Sequence, residues 1–205
     1  MLKFYKILFV NVFVFIFSTN LLVASSLQES ESFLYKFVEN ALIILNDEDI
    51  PSDQRTKLLV EFVTPVVDGE LVSKSTIGSK KWKKLSDEER ENFLVALKNY
   101  LSKRVSVYVT NYVATDINFK IIKNEFVGKN DKYIKVYSTV SGSGTDTIGF
   151  KINWFLSQNN DLKIFNIEVD DGVHLLKILK DQIQAVLNKH DGDINLLIAD
   201  LAELD

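Results

Sequence analysis

Ile148-Gly149-Phe150-Lys151-Ile152-Asn153-Trp154-Phe155-Leu156 is the stretch on which the fold turns. Ile148, Phe150, Ile152, Trp154 and Leu156 alternate with Gly149, Lys151 and Asn153. A period of two puts the first set on one face of a pleated strand. That face is apolar and needs a cover. The same period recurs on either side, giving strand-like runs over Asn118–Phe126, Lys132–Val140, Thr147–Leu156 and Leu162–Val169. Gly128-Lys129-Asn130-Asp131, Ser141-Gly142-Ser143-Gly144 and Gln158-Asn159-Asn160-Asp161 separate the runs with turn compositions. Connections this short between successive strands predict an antiparallel meander.

Before the strands the period is helical. Phe33, Phe37, Ala41 and Ile44/Leu45 make one apolar stripe, broken at Asp47-Glu48-Asp49-Ile50-Pro51-Ser52. Leu58, Leu59, Phe62 and Val63 predict a second helix ending near Pro65, and a short helical piece follows over Val66–Ser75. Ser86-Asp87-Glu88-Glu89 reads as a capping box, in which the Ser oxygen and the Glu carboxylate each satisfy a free backbone N–H. Behind it Phe93, Leu97, Tyr100, Leu101, Val105 and Tyr108 extend a stripe, with a strand over Val105–Tyr112 as the alternative. After the strands come two amphipathic helices, Val173–His190 and Asp193–Leu204, parted at Gly192. The fold class is therefore α+β: N-terminal helices and two C-terminal helices packed on a curved, roughly four-stranded antiparallel sheet.

Lys3 and Lys6, the apolar run Ile7–Phe17, and the small residues Ala24-Ser25-Ser26 have the layout of a secretory signal. An uncleaved anchor over residues 7–24 is the alternative, disfavoured by the polar residues Ser18, Thr19 and Asn20. This divides the chain into a signal peptide (residues 1–26) and a single domain (residues 27–205). Processing removes two lysines and no acid, so the net charge of −4 becomes −6.

The 205 residues are 46% hydrophobic and 25% charged, which excludes wholesale disorder. There is no cysteine, so disulfides, thiolate metal sites, a thiol nucleophile and a lipid-modified Cys are excluded. The acidic balance argues against a nucleic-acid partner. His174 and His190 have no obvious paired acid at helical spacing and read as surface or capping residues. Asp191-Gly192-Asp193 begins like a calcium loop, but Leu196 stands at the turn glycine and Ala202 at the bidentate acid. Helix stop and N-cap is the better reading. Neither a nucleophile elbow nor a phosphate loop occurs, and nothing supports catalysis. Lys80-Lys81-Trp82-Lys83-Lys84 is the strong charge cluster. It is either a solvated loop, with Trp82 packing it onto the core, or a docking handle (Lys80, Lys81, Lys83, Lys84) for an acidic partner or anionic lipid.

Two blocks carry a family likeness. The first runs Val67-Asp68-Gly69-Glu70-Leu71-Val72, Ile77-Gly78-Ser79-Lys80-Lys81-Trp82, Leu85-Ser86-Asp87-Glu88-Glu89-Arg90, then Phe93, Leu97 and Tyr100-Leu101. The second is Leu162-Lys163-Ile164-Phe165-Asn166-Ile167-Glu168-Val169-Asp170-Asp171-Gly172-Val173-His174-Leu175, continued by Gln182 and Gly192–Leu201. In this order they resemble the MlaC (toluene-tolerance) family over nearly the whole mature chain. Leu162, Asn166, Asp171 and His174 stand where that family has Trp, Asp, Glu and Ser, and Lys180 where an Arg is common.

The resemblance implies a periplasmic phospholipid carrier, not an enzyme, with an apolar cavity between sheet and helices. It needs no cofactor beyond the lipid cargo. Its partners would be an inner-membrane MCE-type subunit of an ABC transporter and an outer-membrane lipoprotein complex, with the carrier a monomer between them. The expected lining is Phe93, Leu97, Tyr100 and Leu101 from the helix, and Ile134, Val136, Phe150, Ile152 and Trp154 from the strands. A non-catalytic interaction module with a filled core is the alternative.

Overall fold

The computed structural model describes residues 26–109, 117–142, 149–158, 161–170 and 172–203. Nearly all of the signal segment thus lies outside the described residues, as do Thr147 and Ile148 of the third strand-like run. Among the described residues, seven α-helices accompany one antiparallel sheet of five strands in the order β1-β2-β3-β4-β5. None of these helices is long and apolar enough to cross a membrane. The helices are α1 (residues 26–46), α2 (Ser52–Val63), α3 (Gly69–Ile77), α4 (Ser79–Trp82), α5 (Asp87–Val109), α6 (Leu175–Lys189) and α7 (Ile194–Glu203). The strands are β1 (Ile117–Val127), β2 (Tyr133–Gly142), β3 (Phe150–Gln158), β4 (Leu162–Val169) and β5 (Val173–His174).

Register fixes which side chains share a face. Ile134 pairs with Leu156, Val136 with Trp154 and Ser138 with Ile152, so these alternate residues form the apolar face that the sequence predicts. Helix α1 is its cover. Leu34 is fully buried against this face, and Phe37 meets Trp154 edge-on at 6.0 Å. Trp154 Nε1 donates to Ser138 Oγ at 2.9 Å, so the indole N–H is satisfied within the core. The helix is also clipped to β1, where the Asn124 amide donates to the Leu27 carbonyl at 2.7 Å and the Ile121 N–H to the Tyr35 hydroxyl at 3.2 Å.

The second core is helical. Phe93, Leu97 and Tyr100 of α5 pack with Leu179, Ile183 and Leu187 of α6, Leu197 and Leu201 of α7, and Val72 and Ile77 of α3. A β-bulge joins the two cores. Phe155 pairs with Asn166 but Leu156 with Ile164, leaving Phe165 unpaired, and its ring packs against the helical cluster. The capping box forms as read: Ser86 N donates to Glu89 Oε2 at 2.7 Å and Glu89 N to Ser86 Oγ at 3.1 Å.

Two local differences from the sequence reading have simple causes, and a third segment keeps its helical reading. β5 is only two residues long, too short for a period to show; it pairs Val173 with Val169 and His174 with Glu168. The lysine cluster includes a short helix because Gly78, at φ 87°, both ends α3 and starts α4. The segment Val105–Tyr112 is helical as far as Val109, and its remainder lies outside the described residues.

Candidate functional site

Helix α5 is apolar on two sides. Its Phe93–Leu97–Tyr100 side enters the helical core, while Leu94 and Leu101 lie against an apolar cleft of about 290 Å³ shared with α2 and α3. Val60 and Val63 of α2 form the opposite wall, and Gly69, Val72 and Ser73 of α3 close the space between them. Leu97 reaches both the core and the cleft. The mouth carries Glu91, Val95 and Lys98, exposed and spaced along one stripe of α5. Walls of Val and Leu beneath a charged rim suit an apolar chain with a polar end. The volume is near the lower bound for small-ligand pockets, about 300 Å³.

The structure distributes the expected lining residues over four environments. Leu97 and Leu101 line the cleft. Phe93 and Tyr100 are buried in the helical core, with Tyr100 OH 3.1 Å from Gln182 Oε1. Ile134, Val136 and Trp154 are buried beneath α1, with Ile152 packed beside them. Phe150, at the start of β3, is 47% exposed. Helix and strand members therefore belong to separate clusters and do not meet around one space. The α2 wall went unassigned in the sequence because Val60 and Val63 resemble any buried stripe.

Lys80, Lys81 and Lys84 border a groove of about 600 Å³, and Gly192, Asp193 and Asn195 at the α6–α7 turn form the other side. Lys81 Nζ donates to the Gly192 carbonyl at 2.5 Å. Gly192 suits the turn by its φ of +85°, and a Cβ there would push the flexible Lys81 ammonium, 2.8 Å away, off the carbonyl. Lys80, Lys83 and Lys84 are exposed and make no ion pair among the described residues. Trp82 is 5% exposed in the helical core, with the Arg90 guanidinium 5.7 Å from its ring centroid. The indole is thus the anchor, Lys81 is tied to the α6–α7 turn, and Lys80, Lys83 and Lys84 point to solvent.

The sheet face turned away from α1 carries a polar cluster around Glu168. Glu168 accepts from Lys135 Nζ at 3.1 Å and from the Asn153 amide at 3.2 Å, and His174 Nε2 lies 3.6 Å away. Burial pushes the Glu168 carboxyl up, but the bonds from Lys135 and Asn153 outweigh it, so the group sits below the usual glutamate range. At the other end of the helical core, His190 Nε2 is 2.8 Å from Asp200 Oδ2. Both histidines thus have carboxylate partners, correcting the reading of them as unpaired. Glu168 and Asp200 are not at helical spacing from either histidine, so the sequence pattern did not reveal them. Asp193 does cap α7, its Oδ1 accepting from Asn195 N at 2.8 Å.

The family model described as MlaC protein matches residues 36–203 of the chain. The structure described as a phospholipid-binding protein from Ralstonia solanacearum, in complex with a phospholipid, superimposes with a TM-score of 0.68. That match covers 84% of this chain and 94% of the other at 18% sequence identity, a likeness of fold. No curated protein matches the chain.

Proposed function

The chain belongs to the MlaC family, a family of non-catalytic lipid carriers, and from that membership we propose that it carries phospholipid across the periplasm between transport complexes of the outer and inner membranes. The observation that carries this reading is the apolar cleft between α2, α3 and α5. Exposing a sixteen-carbon chain to water costs about 13 kcal/mol at about 0.8 per methylene. A carrier therefore works by shielding the chain and leaving the head group wet, with no bond made or broken. Leu97 and Leu101 shield it here, together with Val60, Val63, Val72 and Leu94. Glu91 and Lys98 at the rim face the polar end.

Export by the N-terminal signal fits this location. Lys80, Lys81, Lys83 and Lys84 serve as the docking handle, their uncompensated charge steering the carrier to acidic surfaces of the MCE-type subunit or the lipoprotein complex. The decisive experiment is denaturing extraction of the purified mature protein followed by mass spectrometry. Stoichiometric phospholipid is expected; protein that is free of lipid and fails to move lipid between vesicles sinks the reading. That result would favour the interaction module, whose supporting observation is that Phe93, Tyr100, Ile134, Val136 and Trp154 all sit in filled cores.

A further inference from the structure

The cleft holds three hydroxyl-bearing residues, and they differ in one respect. Thr64 Oγ1 donates to the Val60 carbonyl at 2.7 Å, and Ser102 Oγ to the Lys98 carbonyl at 2.8 Å. Each thus spends its proton one turn back on its own helix. Ser73 does not. It is fully buried, and its Oγ is the buried side-chain polar atom without a hydrogen-bond partner among the described residues. A buried hydroxyl without a partner is unfavourable relative to one bonded to protein or solvent, and such a group in a native fold calls for an explanation.

Its position supplies one. Gly69, Val72 and Ser73 follow at helical spacing, and all three border the cleft. Lys98 is exposed at the mouth, whereas Ser73 lies inside. Between the cation and the hydroxyl the walls are aliphatic. With Glu91 beside Lys98 at the mouth, a molecule that satisfies all of these carries a polar head whose anionic group meets Lys98, then an oxygen acceptor a short way along, then hydrocarbon.

The geometry points to Ser73 as a specificity-determining residue that donates its hydroxyl proton to an acyl-ester carbonyl of the bound lipid. This rests on the carrier reading above and deepens it: the cleft recognises an esterified acyl chain and not hydrocarbon alone. No bond is made or broken, and the serine acts only as a hydrogen-bond donor.

The test uses the full-length mature protein, stripped of lipid, loaded with a fluorescent phosphatidylglycerol and challenged with two competitors. One is a diacyl phosphatidylglycerol; the other is its dialkyl ether analogue of equal chain length, which lacks the carbonyls. The wild type is expected to bind the ester about five- to tenfold more tightly than the ether, the worth of one hydrogen bond. Ser73→Ala brings that ratio to about one by weakening the ester alone, and Ser73→Thr retains most of the preference. An ester-to-ether ratio near one in the wild type overturns the assignment while leaving the carrier intact. So does a ratio that Ser73→Ala leaves unchanged, which shows the hydroxyl to be a packing defect. If the fluorescent lipid does not bind at all, the carrier reading falls and takes this inference with it.

Discussion

Ser157 Oγ on β3 donates to Asp68 Oδ2 at 2.6 Å, and the other oxygen of that carboxylate, Oδ1, accepts from Leu71 N at 2.9 Å at the start of α3. One buried side chain therefore caps a helix of the helical core and holds it against the sheet, reinforced by Asp68 N donating to the Ile164 carbonyl at 2.9 Å. Asp68→Ala removes a cap, about 1 kcal/mol, and leaves the Ser157 hydroxyl only the long contact to the Lys163 carbonyl at 3.4 Å, about another 1 kcal/mol. We expect a double-mutant cycle with Ser157→Ala, measured by urea denaturation, to give a coupling of about 1–2 kcal/mol. Additive effects would show the bond to be idle.

Val95 stands at the cleft mouth and is 48% exposed. A larger side chain there narrows the entrance without overfilling a core, so Val95→Trp should change stability by no more than about 0.5 kcal/mol. Phospholipid affinity should fall on the order of tenfold, about 1.4 kcal/mol, read by fluorescent-lipid titration. Undiminished affinity would place the lipid elsewhere.

The lysine groove makes a kinetic prediction. Lys80→Glu with Lys84→Glu should slow association with the proposed MCE-type partner on the order of tenfold and flatten its salt dependence, leaving Tm unchanged. Surface plasmon resonance at two ionic strengths reads both. If association is unaltered, these lysines are only a solvated surface.

Acid should loosen the α6–α7 pair. Asp200 accepts from His190 first and Lys189 second, and these bonds hold its carboxyl below the usual aspartate range. A depressed folded-state value stabilises the fold above the unfolded value, and that stability is lost as pH falls through the lowered one. The stability gap between wild type and Asp200→Asn should thus be full at neutral pH and close below about pH 4, where unfolded aspartate titrates. Urea midpoints across pH 2–7 test this, and a gap independent of pH would rule it out.

Where the determinants were local, the sequence was legible. The alternation through Ile152, Trp154 and Leu156 placed β3 and its apolar face, and Ser86 and Glu89 marked the start of α5 because a capping box spans only four residues. The cleft was less legible. Leu97 and Leu101 were among the residues read as lining, and both border the cleft. Phe93 and Tyr100 share their helix and their chemistry, yet pack into the helical core.

The sequence by itself determined the order of elements, their periodicity and caps, and the charge that sets Lys80–Lys84 apart. Those features arise from contacts within a few residues, which hydrophobic period and turn chemistry report directly. Only the tertiary structure decided which apolar stripe of α5 is covered and which faces a space, and only there do Asp68 and Ser157, or His190 and Asp200, come together. A cleft is a place where packing between distant segments stops short. It leaves no local signature, because the valines and leucines that border it are the same residues that fill a core.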